Sequence, residues 1–220
     1  MPTEQELQQL ARQLSNPEGE FGLELAKEMG QTNLGMTKSA IHVLGVKPGD
    51  QILEIGHGNA AHLEYLLSLS GEISYTGLEI SKTMHQEAKA LNSHLAKDEM
   101  IRFCRYEGEK IPFEDDAFTK IFTVNTVYFW ADPLAFAKEI SRVLHPKGRF
   151  ALAFAQREFM KNLPFTRFGF QLYNTTELVS LLEKAEMGIE SIEDCEEEVR
   201  ARSGEKVTRR YTVLQCSAKK

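Results

Sequence analysis

Cysteine is scarce in this chain and scattered. Cys104, Cys195 and Cys216 form no CxxC pair, and their odd total argues against both a disulfide framework and a zinc site and fits a reducing cytoplasm. No other spacing of ligating residues suggests a metal, so none is expected. Long apolar runs are missing too: none approaches the roughly 18 residues that a membrane span needs. The first residues, Met-Pro-Thr-Glu-Gln-Glu-Leu, lack the basic start and apolar core of a secretory signal. A soluble, cytoplasmic protein is expected. Nor is there an excess of positive charge. With 26 Lys and Arg against 32 Asp and Glu, the formal net charge is −6, which argues against a general nucleic-acid binder, whose footprint would be basic. Arg200, Arg202, Lys206, Arg209 and Arg210 are interleaved with Glu196, Glu197, Glu198 and Glu205, a mixture that reads as a solvated hairpin surface. His42, His62, His85, His94 and His145 have no partner at ligand spacing and read as surface or structural residues. Internal repeats, low-complexity stretches and linkers are absent.

What is present is an ordinary globular composition, 42% hydrophobic and 26% charged over 220 residues, enough chain for one domain with its own core. Three helical patterns come first: residues 4–14 with Leu7, Leu10 and Leu14, then Phe21 to Met29 ending at Gly30, then Met36 to Leu44 stopping at Gly45. The least helical stretch among them, Gln31-Thr-Asn-Leu-Gly35, is the part expected to face a substrate, with Asn33 at its centre. Strands and helices then alternate. Strands are expected at 51–55, 72–80, 101–105, 119–125 and 149–155. The helices between and after them are expected at 60–69, 82–96, from Asp132-Pro133 to about His145, and 176–185. Ser81 is a plausible N-cap for the second of these. Two final strands, 189–199 and 207–217, turn at Ser203-Gly204. This order predicts an α/β fold: a doubly wound, mostly parallel seven-stranded sheet with a C-terminal antiparallel hairpin. Residues 1–46 form an N-terminal helical cap or lid, and 47–220 a Rossmann-like core of the same single domain.

The stretch Asp50-Gln-Ile-Leu-Glu-Ile-Gly-His-Gly-Asn-Ala-Ala61 is a strand, a glycine turn and the start of a helix, the geometry in which backbone passes close under a ligand. In an open parallel sheet, ligands bind beyond the carboxyl ends of the strands. Those ends carry Glu54 before the glycines, Glu79 on strand two, Glu107-Gly-Glu109 after strand three, and Asn125 on strand four. Carboxylates at three successive strand ends and an amide at the next suit a ligand rich in hydroxyl and amino donors. Glu79, about 20 residues past the turn, can accept from both hydroxyls of a ribose. Glu107 can accept from an adenine amine with Gly108 against the ring, and Met84 is placed to lie on the adenine face.

Together these features resemble the class I S-adenosylmethionine-dependent methyltransferases. Glu54-Ile-Gly-His-Gly-Asn-Ala60 stands for the family's E/D-x-G-x-G-x-G, Gly77-Leu-Glu-Ile-Ser-Lys-Thr-Met84 for G-x-D/E-x-S-x-x-M, and Glu107-Gly-Glu-Lys-Ile-Pro-Phe113 for D-A-x-x-L-P-F. Phe122-Thr-Val-Asn-Thr-Val-Tyr-Phe-Trp130 is similar to its fourth motif, and Glu139-Ile-Ser-Arg-Val-Leu-His-Pro-Lys-Gly-Arg-Phe150 to E-x-x-R-V-L-K-P-G-G-x-F. The likeness covers roughly residues 47–155 and is closest to the small-molecule branch, similar to quinone-biosynthesis methyltransferases. It implies S-adenosyl-L-methionine as cofactor. Gly56, His57, Gly58 and Asn59 would lie along its methionine part, and Glu54 would orient that loop or meet the ammonium through water. Glu79 with Ile80 would take the ribose, Met84, Glu107, Gly108 and Glu109 the adenine side, and Asn125 with Thr126 the ammonium beside the methyl group. Ala60 replaces the third glycine, His57 a residue that is usually small, and Glu107 a commoner aspartate.

The acceptor implied is a small, partly apolar molecule, with Asn33, Tyr128, Trp130, Gln156 and Tyr173 as its expected pocket. An aromatic-rich loop (Phe159, Pro164, Phe165, Phe168, Phe170) lies near the same edge. Transfer from a sulfonium is an in-line displacement that needs alignment and exclusion of water more than a base, and no obligatory base is visible. Two alternatives remain: a catalytically silent protein that binds S-adenosylmethionine or S-adenosylhomocysteine, and a nicotinamide-dependent oxidoreductase, since Gly56-x-Gly58-x-x-Ala61 also fits a dinucleotide turn. The acidic Glu54 and the terminal hairpin weigh against the latter.

Overall fold

A computed structural model describes residues 2–95, 100–200 and 204–219. The chain opens with α1 (Glu4–Ser15), α2 (Gly19–Thr32) and α3 (Leu34–Leu44), then runs β1 (Gln51–Ile55), α4 (Leu63–Leu69), β2 (Ser74–Glu79), α5 (Lys82–Leu91), β3 (Ile101–Arg105), β4 (Phe118–Val124) and α6 (Pro133–Val143). It closes with β5 (Leu144–Ala155), α7 (Arg157–Met160), α8 (Thr175–Lys184), β6 (Met187–Arg200) and β7 (Lys206–Ala218), and short 3-10 turns lie at Val127–Phe129 and Pro164–Arg167. The seven strands form one sheet in the order β3-β2-β1-β4-β5-β7-β6. β3, β2, β1, β4 and β5 are parallel, and β7 pairs antiparallel with both β5 and β6.

The strand sequences explain why both faces are covered. β1 and β4 are buried along almost their whole length, polar positions included, as strands covered on both faces are. Leu53, Ile55 and Ile121 join one core with Phe136, Ile140, Leu178 and Leu182 of α6 and α8. Ile52 and Phe122 point to the other, with Met36, Ile41 and Leu44 of α3 and Leu63 and Leu66 of α4. Helix starts are capped by side chains: Thr3 and Glu6 form a capping box on α1, Ser81 Oγ accepts from Met84 N on α5, and Asp132 accepts from Ala135 N on α6; each such cap stabilises its helix by about 1 kcal/mol.

Several boundaries differ from the sequence reading, among them the end of α5, which stops at Leu91 with Asn92 as its C-cap rather than running to Ala96. The second helix passes through Gly30 to Thr32, and only Asn33 separates it from α3, serving as C-cap of one and N-cap of the other. One helical glycine costs about 1 kcal/mol, which α2 recovers by burying Leu25 and Ala26. The stretch 31–35 is therefore a one-residue kink rather than an open loop. α4 begins at Leu63, not Ala60, because Ala60 takes a left-handed conformation (φ +50°). β5 starts at Leu144, where it pairs with Phe118 across a register shift. Ala96 and Ser203, expected in a helix end and a turn, lie outside the described residues. No helix among the described residues is long and apolar enough to cross a membrane.

Candidate active site

Strand order reverses between β1 and β4, so the chain leaves these two neighbours in opposite directions and opens a crevice at their carboxyl ends. The glycine turn fills that crevice. Gly56 (φ +75°) donates its N–H to Leu78 O at 2.8 Å, and a β-carbon on it would collide with the Thr126 methyl group. Gly58 (φ +56°) has nothing within 4 Å of the place a β-carbon would take. The first glycine lets β1 and β4 touch, and the second leaves the turn open to a ligand. Asn59 Oδ1 accepts from Ala61 N at 3.2 Å and lies 3.5 Å from where a β-carbon on Gly30 of α2 would be.

Side-chain alternation sends Glu54 to the face shared with Tyr75 and α4. There the Tyr75 hydroxyl donates to Glu54 Oε2 at 2.5 Å, and His62 Nε2 lies 2.9 Å from the same oxygen. Burial pushes the Glu54 pKa up, but His62 and Tyr75 more than offset it, and the carboxyl stays below its ordinary range. His62 is thus paired with a carboxylate that the spacing of the sequence did not reveal. Glu54 is taken up by these two side chains, and the carboxylate that bonds the backbone of the turn is Glu79. Glu79 Oε2 accepts from Gly58 N and Oε1 from Ser81 N, both at 2.9 Å. Burial raises the Glu79 pKa, opposed by those N–H groups. Each carboxylate oxygen keeps a lone pair for a further donor.

His57 turns its ring inward. It sits where a β-carbon on Gly77 would be, edge-on to Phe103 at 5.1 Å. Its Nδ1 is 2.7 Å from Gly58 O; because a carbonyl only accepts, Nδ1 carries the proton. Nε2 is buried with no hydrogen-bond partner, and burial pulls the pKa down to about 4.

A cleft of about 2000 Å³ runs from Glu54, Gly56, His57, Gly58 and Asn59 past Glu79, Ile80 and Met84 to Tyr106 and Gly108. Glu107 and Glu109 are exposed and stand outside that lining. Tyr106, which stacks on Phe136 at 6.4 Å, takes the wall instead, a residue the sequence reading passed over. In the other direction the cleft reaches Asn125, Thr126, Tyr128 and Trp130, and Asn33 faces them. Asn125 (φ +58°) is held on all sides: its Oδ1 accepts from Ala155 N at 3.2 Å and from the Tyr128 hydroxyl at 3.1 Å, and its Nδ2 donates to Asn33 Oδ1 at 3.3 Å. Trp130 Nε1 donates to Thr126 Oγ1 at 3.2 Å. Gln156 and Tyr173 are not in the lining. Gln156 is spent on Asp194 and Thr212 of the hairpin. Tyr173 is buried in the core around α8, where desolvation lifts its pKa to about 12.

The far end is apolar. Phe129, Phe165 and Phe170 pack on one another, with Phe129 and Phe170 4.6 Å apart. They face Leu10 and Leu14 of α1 and Met29 of α2. Phe168 of the same aromatic loop stays outside. A cleft of this size exceeds the roughly 300–1,000 Å³ of a single small-ligand pocket and has room for two molecules side by side. Among the described residues, no group of three or more His, Cys, Asp or Glu could hold a metal ion.

Comparison with known proteins agrees with this geometry. A methyltransferase domain family matches residues 53–152, the segment from β1 to β5 that builds the cleft floor. Residues 53–152 are thus a methyltransferase domain, and the sheet around them has the fold of the class I S-adenosylmethionine-dependent type. This methyltransferase is 27% identical to an uncharacterized methyltransferase, YdaC, of Bacillus subtilis over 130 residues, covering 59% of this chain and 70% of that one. It is 32% identical to cycloartenol-C-24-methyltransferase 1 of Oryza sativa subsp. japonica over 109 residues, half of this chain but only 31% of the plant enzyme. Its fold superposes on a S-adenosylmethionine-dependent methyltransferase of Aquifex aeolicus with a TM-score of 0.67 at 19% identity, covering 94% and 97% of the two chains. The site fits S-adenosylmethionine, the cofactor that the sequence motifs imply. The turn has an open face at Gly58, and the buried Glu79 carboxylate retains lone pairs. Met84, Ile80 and Gly108 give flat apolar walls beyond it.

Proposed function

We propose that this methyltransferase passes the methyl group of S-adenosylmethionine, by in-line displacement, to a small and largely apolar acceptor. In this reading Gly58 and Asn59 lie along the methionine part, Glu79 takes the ribose hydroxyls, and Ile80, Met84, Tyr106 and Gly108 enclose the adenine. Asn125 and Thr126 border the position of the methyl group. Residues 1–46 are the lid of a single domain, and α1 and α2 close the acceptor space from above.

The cavity wall beyond Asn125 carries the proposal. Phe129, Phe165 and Phe170 on one side and Leu10, Leu14 and Met29 on the other offer an acceptor dispersion contact and little hydrogen bonding. An apolar acceptor reaching that end would be oriented by shape, with its reacting atom turned towards Asn125. Bound there, the cofactor supplies an electrophilic methyl group on a positively charged sulfur. The chain's part is to align the acceptor and exclude water, which well-oriented intramolecular reactions show can supply about 7–11 kcal/mol of a barrier. The name of the plant relative, cycloartenol-C-24-methyltransferase 1, points in the same direction.

Incubation with S-adenosylmethionine labelled in its methyl group and a cell extract tests this. Label should appear in the organic-solvent fraction as a small molecule. Label only in water-soluble products would overturn the apolar acceptor. Tight binding of S-adenosylhomocysteine with no labelled product across broad extracts would favour a silent cofactor-binding protein.

A further inference from the structure

β6 and β7 outrun the sheet. β5 ends its pairing with β7 at Ala155 opposite Tyr211 and, past a last bond from Gln156 N to Arg210 O at 3.1 Å, residues 206–209 pair with the strand of 197–200 alone. This two-stranded ribbon was expected to be a solvated surface. Arg210 with Glu196, and Lys206 with Glu198, are indeed exposed pairs. Arg209 is not: it is buried, with 6% of its surface exposed. Burying a guanidinium is unfavourable unless its donors are satisfied, and here they are spent on the junction between α2 and α3.

The geometry points to Arg209 as a positioning residue that anchors the α2–α3 junction to the hairpin and, through Asn33, sets Asn125 in the active site. Arg209 Nε and Nη2 donate to Glu197 Oε1 at 3.1 and 2.7 Å, which fixes the guanidinium plane. Nη2 also donates to Thr32 O at 2.5 Å, a carbonyl of the last turn of α2, where a cation is favoured by the helix dipole. Nη1 donates to Asn33 Oδ1 at 2.8 Å, the same oxygen that accepts from Asn125 Nδ2. The Glu197 carboxylate also presses on Gly35, where a β-carbon would collide with it. The opposite end of α2 is tied as well, since Ser81 Oγ donates to Pro17 O at 2.5 Å. α2 thus lies as a strap over the turn of Gly58 and Asn59, pinned at one end beside Glu79 and at the other by Arg209. With α2 so held, loosening either pin should speed the release of a bound cofactor.

This inference rests on the methyltransferase reading, and its test separates the two. Wild type and the variants Arg209→Lys, Arg209→Met, Asn33→Ala and Asn33→Ala/Arg209→Met are compared by two measurements. One is the dissociation rate of S-adenosylhomocysteine. The other is backbone amide exchange of the ligand-free protein. Loss of charged hydrogen bonds of this kind corresponds to at least about tenfold, so Arg209→Met should release S-adenosylhomocysteine about tenfold faster. It should also speed exchange in 19–35 while β1 and β4 stay protected. Arg209→Lys, which keeps the charge but not the fork, should fall between. The double variant should release no faster than Arg209→Met alone, because both act on one chain of contacts. If Arg209→Met fails to fold, Glu197→Gln, which only loosens the guanidinium, should give a smaller change of the same kind. An unchanged dissociation rate, additive effects in the double variant, or exchange rising across the whole sheet would overturn the proposal. Failure of wild type to bind S-adenosylhomocysteine would instead strike the cofactor assignment, and the exchange measurement would still judge the anchor.

Discussion

Gly56 on β1 and Thr126 after β4 meet so closely that a β-carbon on the glycine would occupy the space of the threonine methyl group. That contact closes the crevice floor, and Gly56 also has φ +75°. Gly56→Ala should therefore lose about 2–4 kcal/mol of stability from left-handed strain and overpacking together, and with it S-adenosylhomocysteine binding. Adding Thr126→Ser, which removes the methyl group and keeps the hydroxyl that Trp130 uses, should restore part of the stability. Urea denaturation measures both; a single variant within 1 kcal/mol of wild type would contradict the contact.

Glu79→Gln should weaken S-adenosylhomocysteine by roughly 30- to 150-fold in calorimetry, the equivalent of about 2–3 kcal/mol for lost hydrogen bonds to a charged acceptor. The ligand-free protein should be hurt less. Burial raises the Glu79 pKa, so its charge opposes folding above the unfolded value, and that opposition fades as pH falls through the folded one. Equal losses in folding and binding would mean that Glu79 only props the turn.

His57 makes stability depend on pH in a known direction. Its folded pKa is lowered to about 4 by burial, against about 6.5 when exposed. Above pH 6.5 the ring is neutral in both states and contributes nothing. As pH falls from there towards 4, the unfolded chain takes up a proton that the folded chain refuses, so stability drops by about 3 kcal/mol. A series of denaturation curves between pH 7 and 4 should flatten over that window in His57→Gln. The same slope in both proteins would assign the effect elsewhere.

Asn125 combines a left-handed backbone with a side chain bonded to Asn33, Tyr128 and Ala155. Asn125→Gly keeps the backbone and loses those bonds; Asn125→Ala loses the bonds and adds strain. The alanine variant should be less stable than the glycine variant by about 1 kcal/mol. Both should lose methyl transfer to whichever extracted acceptor is labelled. Equal stability of the two would show that the chain relaxes out of φ +58° at no cost.

Much of the cleft floor was legible in the primary structure because it is built from contiguous chain. A strand, a glycine turn and a helix start within twelve residues place Gly56 and Gly58 wherever that unit folds. The carboxylate of Glu79 follows from ending the next parallel strand. Glu107 and Glu109 illustrate the limit of that reasoning: they follow strand three in the expected place, yet the loop leaves them in solvent and turns Tyr106 inward. Gln156 and Tyr173 show it again, the first drawn off to Asp194 and Thr212 and the second packed into the core around α8.

The succession of strands and helices along the chain and the class of cofactor that the motifs imply were legible in sequence alone, since local periodicity and short motifs act over a few residues, whereas the crevice between β1 and β4 follows from the strand order of the folded sheet. Only the tertiary structure decided that His62 pairs with Glu54, that Arg209 is buried, and that Asn33 and Asn125 share a hydrogen bond across 92 positions. Those contacts depend on where chain ends and hairpins come to rest. A buried charge with satisfied donors looks in sequence no different from an exposed one; what distinguishes it is which carbonyls and carboxylates the fold brings within 3 Å.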